Sequence, residues 1–571
     1  MTVSPRTKPG SGNATLDPIT LEIMFNAFRS VTDETFVALM KSAYSTNIKE
    51  RRDHSTAIMD SSGRLIVQAE ASLPIHLASM GGLMRALFDK FGDDVHEGDI
   101  FIANDPHVAG GTHLPDINMA MPVFHDGALV AFMCNIAHHA DIGGAVPGSM
   151  AGGMTEIYQE GLRIPVIRLF ERGELHTDLL DLVLLNVRVP RERRGDYFAQ
   201  IAACRLGASR LREIIAHYGV PAVTTGYVEI ITRTARRMRE AVAAIPDGIY
   251  SFQDIMDDDG MGTKDIPIKV TITIKGEDIH FDFTGTAKQV DGNINVTRNA
   301  TEASVCYALK ALLDPDAPNN QGMLDLPRLT VEKGSLLDAG FPAPVAARAN
   351  TCQRIIDVII GALSAALPEA AVAAANGANT TAVFSGTDPR TGETYVYLET
   401  LGGGFGGRFA KDGKDGVQVH ITNTSNLPIE AIELEYPLMV RSYGFVENSG
   451  GPGRHRGGLG LERVVEPVGH ECTFNGAGER FTHSPWGLFN GGEGKPGEFL
   501  HLDRSGKQRR LPNKPIGVRI GASEAVVIRS PGAGGYGNPG ERAADALAED
   551  AESGKFDTDF LRRHYTQQTP S

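Results

Sequence analysis

At 571 residues, with 42% hydrophobic and 22% charged residues, the chain exceeds the ~100 to 200 residues of a usual single domain, so two to four domains are expected, each burying its own core. Lys plus Arg total 55 against 70 for Asp plus Glu, and the resulting charge of −15 repels phosphate backbones and anionic lipid alike, arguing against nucleic acid as a partner. The longest uncharged run, 370–387, is broken by Asn376, Asn379, Thr380, Thr381 and Ser385, so no membrane span is expected.

The first thirteen residues are polar, with Pro5, Pro9, Gly10 and Gly12, and lack the apolar core of a secretory signal. Residues 1–16 read as a flexible leader. The five cysteines are scattered without a Cys-x-x-Cys pair, which suits reduced thiols in a cytoplasmic protein.

A helix is predicted from Asp17 as N-cap and Pro18 as first residue, with Leu21, Met24, Phe25 and Phe28 at helical spacing. A hairpin follows over 55–60 and 65–69, then a helix over 80–91, with His76 in the loop between them. Apolar runs at 99–103 and 128–137 read as buried strands joined by loops rich in Gly, Pro and His. Asp196 is expected to cap a helix ending near Gly219, and a second helix runs from about 225 to 245.

After Pro246-Asp247-Gly248 strands are expected at 268–274 and 279–283, then helices at about 301–313 and 353–367. Beyond residue 395 short strands alternate with glycine clusters, which read as tight turns, and the last thirty residues form a charged amphipathic tail. The fold class is therefore α+β and multi-domain: mixed sheets with packed helices and a Gly-rich, β-rich C-terminal half. The expected units are 17–246, which carries the candidate site, an α+β unit at 247–394, a Gly-rich β unit at 395–540 and a helical tail at 541–571.

Five of the 17 histidines lie between Asn104 and Gly144: His107, His113, His125, His138 and His139. His113 and Asp116 flank Pro115, which prevents a helix there and lets both side chains converge. His138 and His139 follow an apolar strand, so alternation sends them to opposite faces and only one enters a given pocket. Asp141 is placed to orient an imidazole through its free N–H. Spacing leaves two readings open, a divalent metal site or buried, hydrogen-bonded histidines lining a turn.

Candidate acid and base groups are Asp105, Glu160 and His76, with Asp53 and Glu50 in the run Lys49-Glu50-Arg51-Arg52-Asp53; each has an N-cap or ion-pair reading beside the catalytic one. No P-loop and no Gly-x-Ser-x-Gly elbow occurs. Gly402-x-Gly404-x-x-Gly407 does not open a βαβ helix, and too little chain follows Gly532-x-Gly534-x-x-Gly537 for a nucleotide fold. No nucleotide-binding residue is therefore assigned.

Five blocks carry a family resemblance: Asn47-Ile48-Lys49-Glu50-Arg51-Arg52-Asp53; Asn104-Asp105-Pro106 with Gly111-Thr112-His113-Leu114-Pro115-Asp116; His138-His139-Ala140-Asp141-Ile142-Gly143-Gly144; Ser449 to Gly458; and Pro531 to Gly537. Together they resemble the hydantoinase B/oxoprolinase family, which includes B subunits of ATP-dependent hydantoinases, caprolactamase, 5-oxoprolinase and subunits of acetone and acetophenone carboxylases.

The resemblance implies a divalent metal, Zn, Mn or Fe, held by His113, Asp116 and His138, with His139 and Asp141 in support. Where the family often has Tyr after Asn-Asp-Pro, this chain has His107, an additional ligand or proton carrier. The resemblance also implies a hetero-oligomer with a hydantoinase A-type subunit that binds ATP and Mg and phosphorylates a cyclic amide. The present chain would then open the ring. An alternative is a subunit of an ATP-dependent ketone carboxylase; a second is a non-catalytic scaffold completing its partner's site.

Overall fold

The computed structural model describes residues 16–565, so all but Leu16 of the expected leader lies outside the described residues. The first helix, Pro18–Ser42, begins as its sequence requires, with the Asp17 carboxylate accepting from the N–H groups of Ile19 and Thr20. Its buried stripe, including Leu21, Met24, Phe28 and Phe36, packs on a seven-stranded antiparallel sheet.

The strands of that sheet are β1 (His54–Asp60), β2 (Leu65–Gln68), β3 (Ile100–Ala103), β4 (Asp116–His125), β5 (Ala128–His138), β6 (Ile167–Glu171) and β7 (Glu174–Leu175), in the order β2-β1-β5-β4-β3-β6-β7. Both faces are covered, which explains why the central strands read as continuous apolar runs. Ile58, Met119 and Met133 face the helices Pro18–Ser42 and Pro190–Tyr218, while Met59, Ala120 and Phe132 face the helix Ser79–Phe91 and the second half of the chain.

Asp196 does not cap a helix. The helix starts six residues earlier, at Pro190, because proline is pre-organised for the first helical position, and Val220–Ala243 follows it. The Asp196 carboxylate instead accepts from the N–H groups of Tyr44 and Ser45, tying down the chain that leaves the first helix.

A four-stranded sheet (Gly248–Asp258, Lys264–Lys275, Asp278–Asp282, Arg328–Thr330) packs under the helix Arg348–Leu363, whose sixteen residues are all buried. The apolar cluster built on this layer runs without a break from Ala57 to Ile421, so the first two sheets share one core. The C-terminal half stacks a second four-stranded sheet on a five-stranded one around Phe384, Phe474, Phe499 and Val526.

The glycine clusters are for the most part not turns. A Cβ on Gly532 would lie 1.8 Å from the Ser449 carbonyl oxygen, one on Gly457 1.9 Å from that of Ala533, and one on Gly534 1.9 Å from that of Trp486. The blocks at 449–458 and 531–537 therefore pack backbone against backbone, and glycine is needed for approach rather than for a left-handed bend.

Candidate metal centre

Asp116 opens β4 directly opposite His138, the last residue of β5, and the turn before it carries His113. One potential ligand atom from each of His113, Asp116 and His138 lies within 4.8 Å of the others. The two imidazoles stand 5.0 Å apart between centroids, and all three side chains are buried.

The protonation pattern follows from the neighbours. The carbonyl oxygen of Ala346 can only accept, and His113 Nδ1 lies 3.0 Å from it, so Nδ1 carries the ring proton. His113 Nε2 then presents a lone pair 3.1 Å from Asp116 Oδ1, and neither atom has a hydrogen-bond partner among the described residues. Two buried acceptors facing one another call for a positive charge between them, and a divalent cation bound by imidazole and carboxylate meets that need.

Burial and the Arg348 charge lower the pKa of His113, and burial with the charge of His113 holds that of His138 well below the usual range, so both rings are neutral at pH 7. Burial alone would raise the Asp116 carboxyl, but His113, charged at the acid pH where that carboxyl titrates, and Arg348 outweigh it and hold its pKa well below the usual range, so it is ionised at pH 7. Asp116 Oδ2 is fixed by Arg348 Nη2 at 2.7 Å and the Thr112 hydroxyl at 3.0 Å, leaving Oδ1 for the cluster. Arg348 also donates to Thr112 Oγ1 at 2.9 Å. Asn47 Nδ2 donates to the His138 carbonyl at 2.7 Å and stands 2.9 Å from its Nδ1, and Arg51 in turn bonds Asn47 Oδ1.

The remaining candidates separate. His76 joins the cluster: its Nε2 lies 3.4 Å from Asp116 Oδ2 and its Nδ1 is 2.8 Å from Ser55 Oγ. With Asp53, His138 and Arg348 it lines a cavity of about 20 Å³, enclosed from the other side by Leu398, Thr400 and Thr424. That is room for about one water molecule. Glu160 is linked to the centre only through the backbone: its Oε1 accepts from Ala346 N at 2.7 Å, and burial pushes its carboxyl up to about 8.

His139 faces away, packing against Tyr197 with the rings tilted and bonding Gln200 Oε1 at 3.0 Å, and burial lowers its pKa to about 4. Asp141 holds the glycine turn through Gly143 N and Gly148 N and pairs with Arg188 at 2.9 Å. Asp105 caps the turn at His107 and Val108 and pairs with Arg163. His107 bonds the Ala343 carbonyl at 3.0 Å. These four do not reach the cluster; they shape the loops that carry it. Glu50 is partly exposed and lies 3.9 Å from Lys49 Nζ.

Sequence reasoning missed Arg348, Thr112 and Ala346. The helix expected from residue 353 begins at Arg348, five residues sooner, and that turn of helix brings in the guanidinium. The one available signal was an isolated arginine within an apolar stretch, since Lys and Arg are almost never fully buried unless paired.

The fold and cluster define an α+β protein with a candidate centre for a divalent metal, buried between a seven-stranded sheet and a helix N-terminus. The Hydantoinase B/oxoprolinase family matches residues 17–539, and the chain belongs to it. It is 38% identical to an uncharacterized protein of Methanocaldococcus jannaschii, over 96% of both chains. It is 32% identical to the B subunit of a putative D-/L-hydantoinase from a Pseudomonas species, over 94% of this chain and 92% of the other. The crystal structure of the ATP-dependent caprolactamase from Pseudomonas jessenii superposes with a TM-score of 0.91 at 28% identity, covering 98% of each chain.

Proposed function

We propose that the chain is the metal-holding B subunit of an ATP-dependent cyclic amide hydrolase, with His113, Asp116 and His138 as ligands of Zn²⁺, Mn²⁺ or Fe²⁺. The reading rests on one observation above the others: two buried acceptors without a hydrogen-bond partner among the described residues, His113 Nε2 and Asp116 Oδ1, face each other at 3.1 Å. When bound, such a cation supplies Lewis acidity and lowers the pKa of water from 15.7 to about 7. The chain carries no P-loop, so a hydantoinase A-type partner supplies ATP, Mg and phosphorylation of the ring amide.

The chain's own residues do the positioning. Arg348 and Thr112 hold Asp116 ionised, the Ala346 carbonyl sets the tautomer of His113, and Asn47 fixes His138. His76 Nε2 borders the cavity beside Asp116, where it is placed to pass a proton to or from a group bound there. A ring amide exceeds a cavity of about 20 Å³, so its entry requires the cavity to widen.

Co-purification with the A-type partner, metal analysis, and ADP release with hydantoin, 5-oxoproline or caprolactam test the reading. Substrate-dependent ADP release that disappears in His113→Ala supports it. Turnover only with a ketone and bicarbonate would replace it by carboxylation, and full activity of a metal-free preparation would leave the chain as a scaffold.

A further inference from the structure

On the outer side of the loop that carries His113 lies a second, larger cavity of about 580 Å³, within the range of small-molecule sites. It opens between the helix Ser79–Phe91, the segment around Pro106 to Gly110, and the start of the helix Arg298–Leu313. These walls are locked together. A Cβ on Gly82 would lie 2.6 Å from Gly110 Cα, and Asn299 Nδ2 donates to the Gly110 carbonyl at 3.0 Å.

Three cations line the cavity: Arg85, Lys90 and Arg298. Arg85 Nη2 donates to Asn299 Oδ1 at 3.1 Å and Lys90 Nζ to the Val166 carbonyl at 2.7 Å, both neutral acceptors. Arg298 Nε meets Glu302 at 2.9 Å. Thr297, the residue before the sixteen-residue helix, also lines the cavity; it is 5% exposed, makes no side-chain cap, and its hydroxyl has no partner among the described residues. A helix N-terminus of this kind offers free N–H groups and a partial positive charge to an anion. Asp89 and Asp338 line the same space.

We infer that this cleft binds the phosphate group of a small molecule, with Arg85, Lys90 and Arg298 around it and the Thr297 hydroxyl donating to it. The site goes beyond the metal reading and does not depend on it: none of its lining residues belongs to the cluster. Because Gly110 leads directly into Gly111-Thr112-His113, an occupant sits against the backbone that presents the metal-binding histidine.

Calorimetric titration of the full chain with inorganic phosphate and, separately, acetyl phosphate at constant ionic strength tests this. Saturable one-to-one binding is expected, weakened at least about tenfold in Arg85→Gln and in Thr297→Val, with unchanged metal content and thermal midpoint in Arg85→Gln. Tighter binding of acetyl phosphate identifies an organic phosphate as the ligand; equal or tighter binding of inorganic phosphate identifies the free ion. No saturable binding of either at millimolar concentration, or binding that both variants leave unaltered, overturns the proposal.

Discussion

Arg348→Met removes a guanidinium that donates to Asp116 Oδ2 at 2.7 Å and to Thr112 Oγ1 at 2.9 Å, while keeping most of the side-chain volume. Both partners of the ion pair are buried, 4% and 1% exposed, so breaking it leaves an uncompensated carboxylate at a cost of about 3 to 5 kcal/mol. A cation on Asp116 changes that sum, because the carboxylate then keeps a positive neighbour. The loss is expected to fall below about 2 kcal/mol in metal-loaded protein, the value of hydrogen bonds alone. Unfolding entropy of about 2.1 cal/mol/K per residue makes 4 kcal/mol worth about 3 °C in a chain of 571 residues if it melts as one unit, and more if the halves melt separately. Scanning calorimetry of wild type and variant, each with metal and after chelation, reads the difference. An equal shift in both states would refute the idea that a cation shares the charge of Asp116.

Elemental analysis of the purified chain should find about one divalent metal per chain, and His113→Ala or Asp116→Ala should lower occupancy at least about tenfold. His139→Gln, which faces Tyr197 and Gln200, should keep the metal. Glu160 is held neutral with its pKa raised from 4.5 to about 8, so its contribution to stability is complete below pH 4.5 and is lost as pH rises through 8, by roughly 5 kcal/mol. The melting temperature of wild type should fall across that window relative to Glu160→Gln; parallel curves would show that Glu160 ionises freely. Gly534→Ala puts a methyl group 1.9 Å from the Trp486 carbonyl oxygen, and the expected outcome is insoluble protein or a large drop in melting temperature.

The sequence marked the cluster through its residue types: a histidine and an aspartate flanking a proline, and paired histidines at the end of an apolar run. Strand alternation even anticipated that His138 and His139 diverge, because successive side chains on a strand point to opposite faces. Asp105, Glu160 and Asp141 show where such reading stops. Their letters alone do not show that Asp105 and Asp141 accept from backbone N–H groups and pair with Arg163 and Arg188, or that Glu160 accepts from Ala346 N.

By itself the sequence determined what local physics controls: the Asp17-Pro18 helix start, the apolar strands, and a turn at Pro115 that forbids a helix. Tertiary structure alone decided the rest. Arg348 lies 232 residues from Asp116, Asn47 lies 91 from His138, and the Ala346 carbonyl that sets the His113 tautomer comes from the second half of the chain. The glycine blocks at 449–458 and 531–537 interlock for the same reason, close backbone approach across distant segments. Charge compensation, tautomer and backbone contact depend on separation in space, and no spacing along the chain encodes that separation.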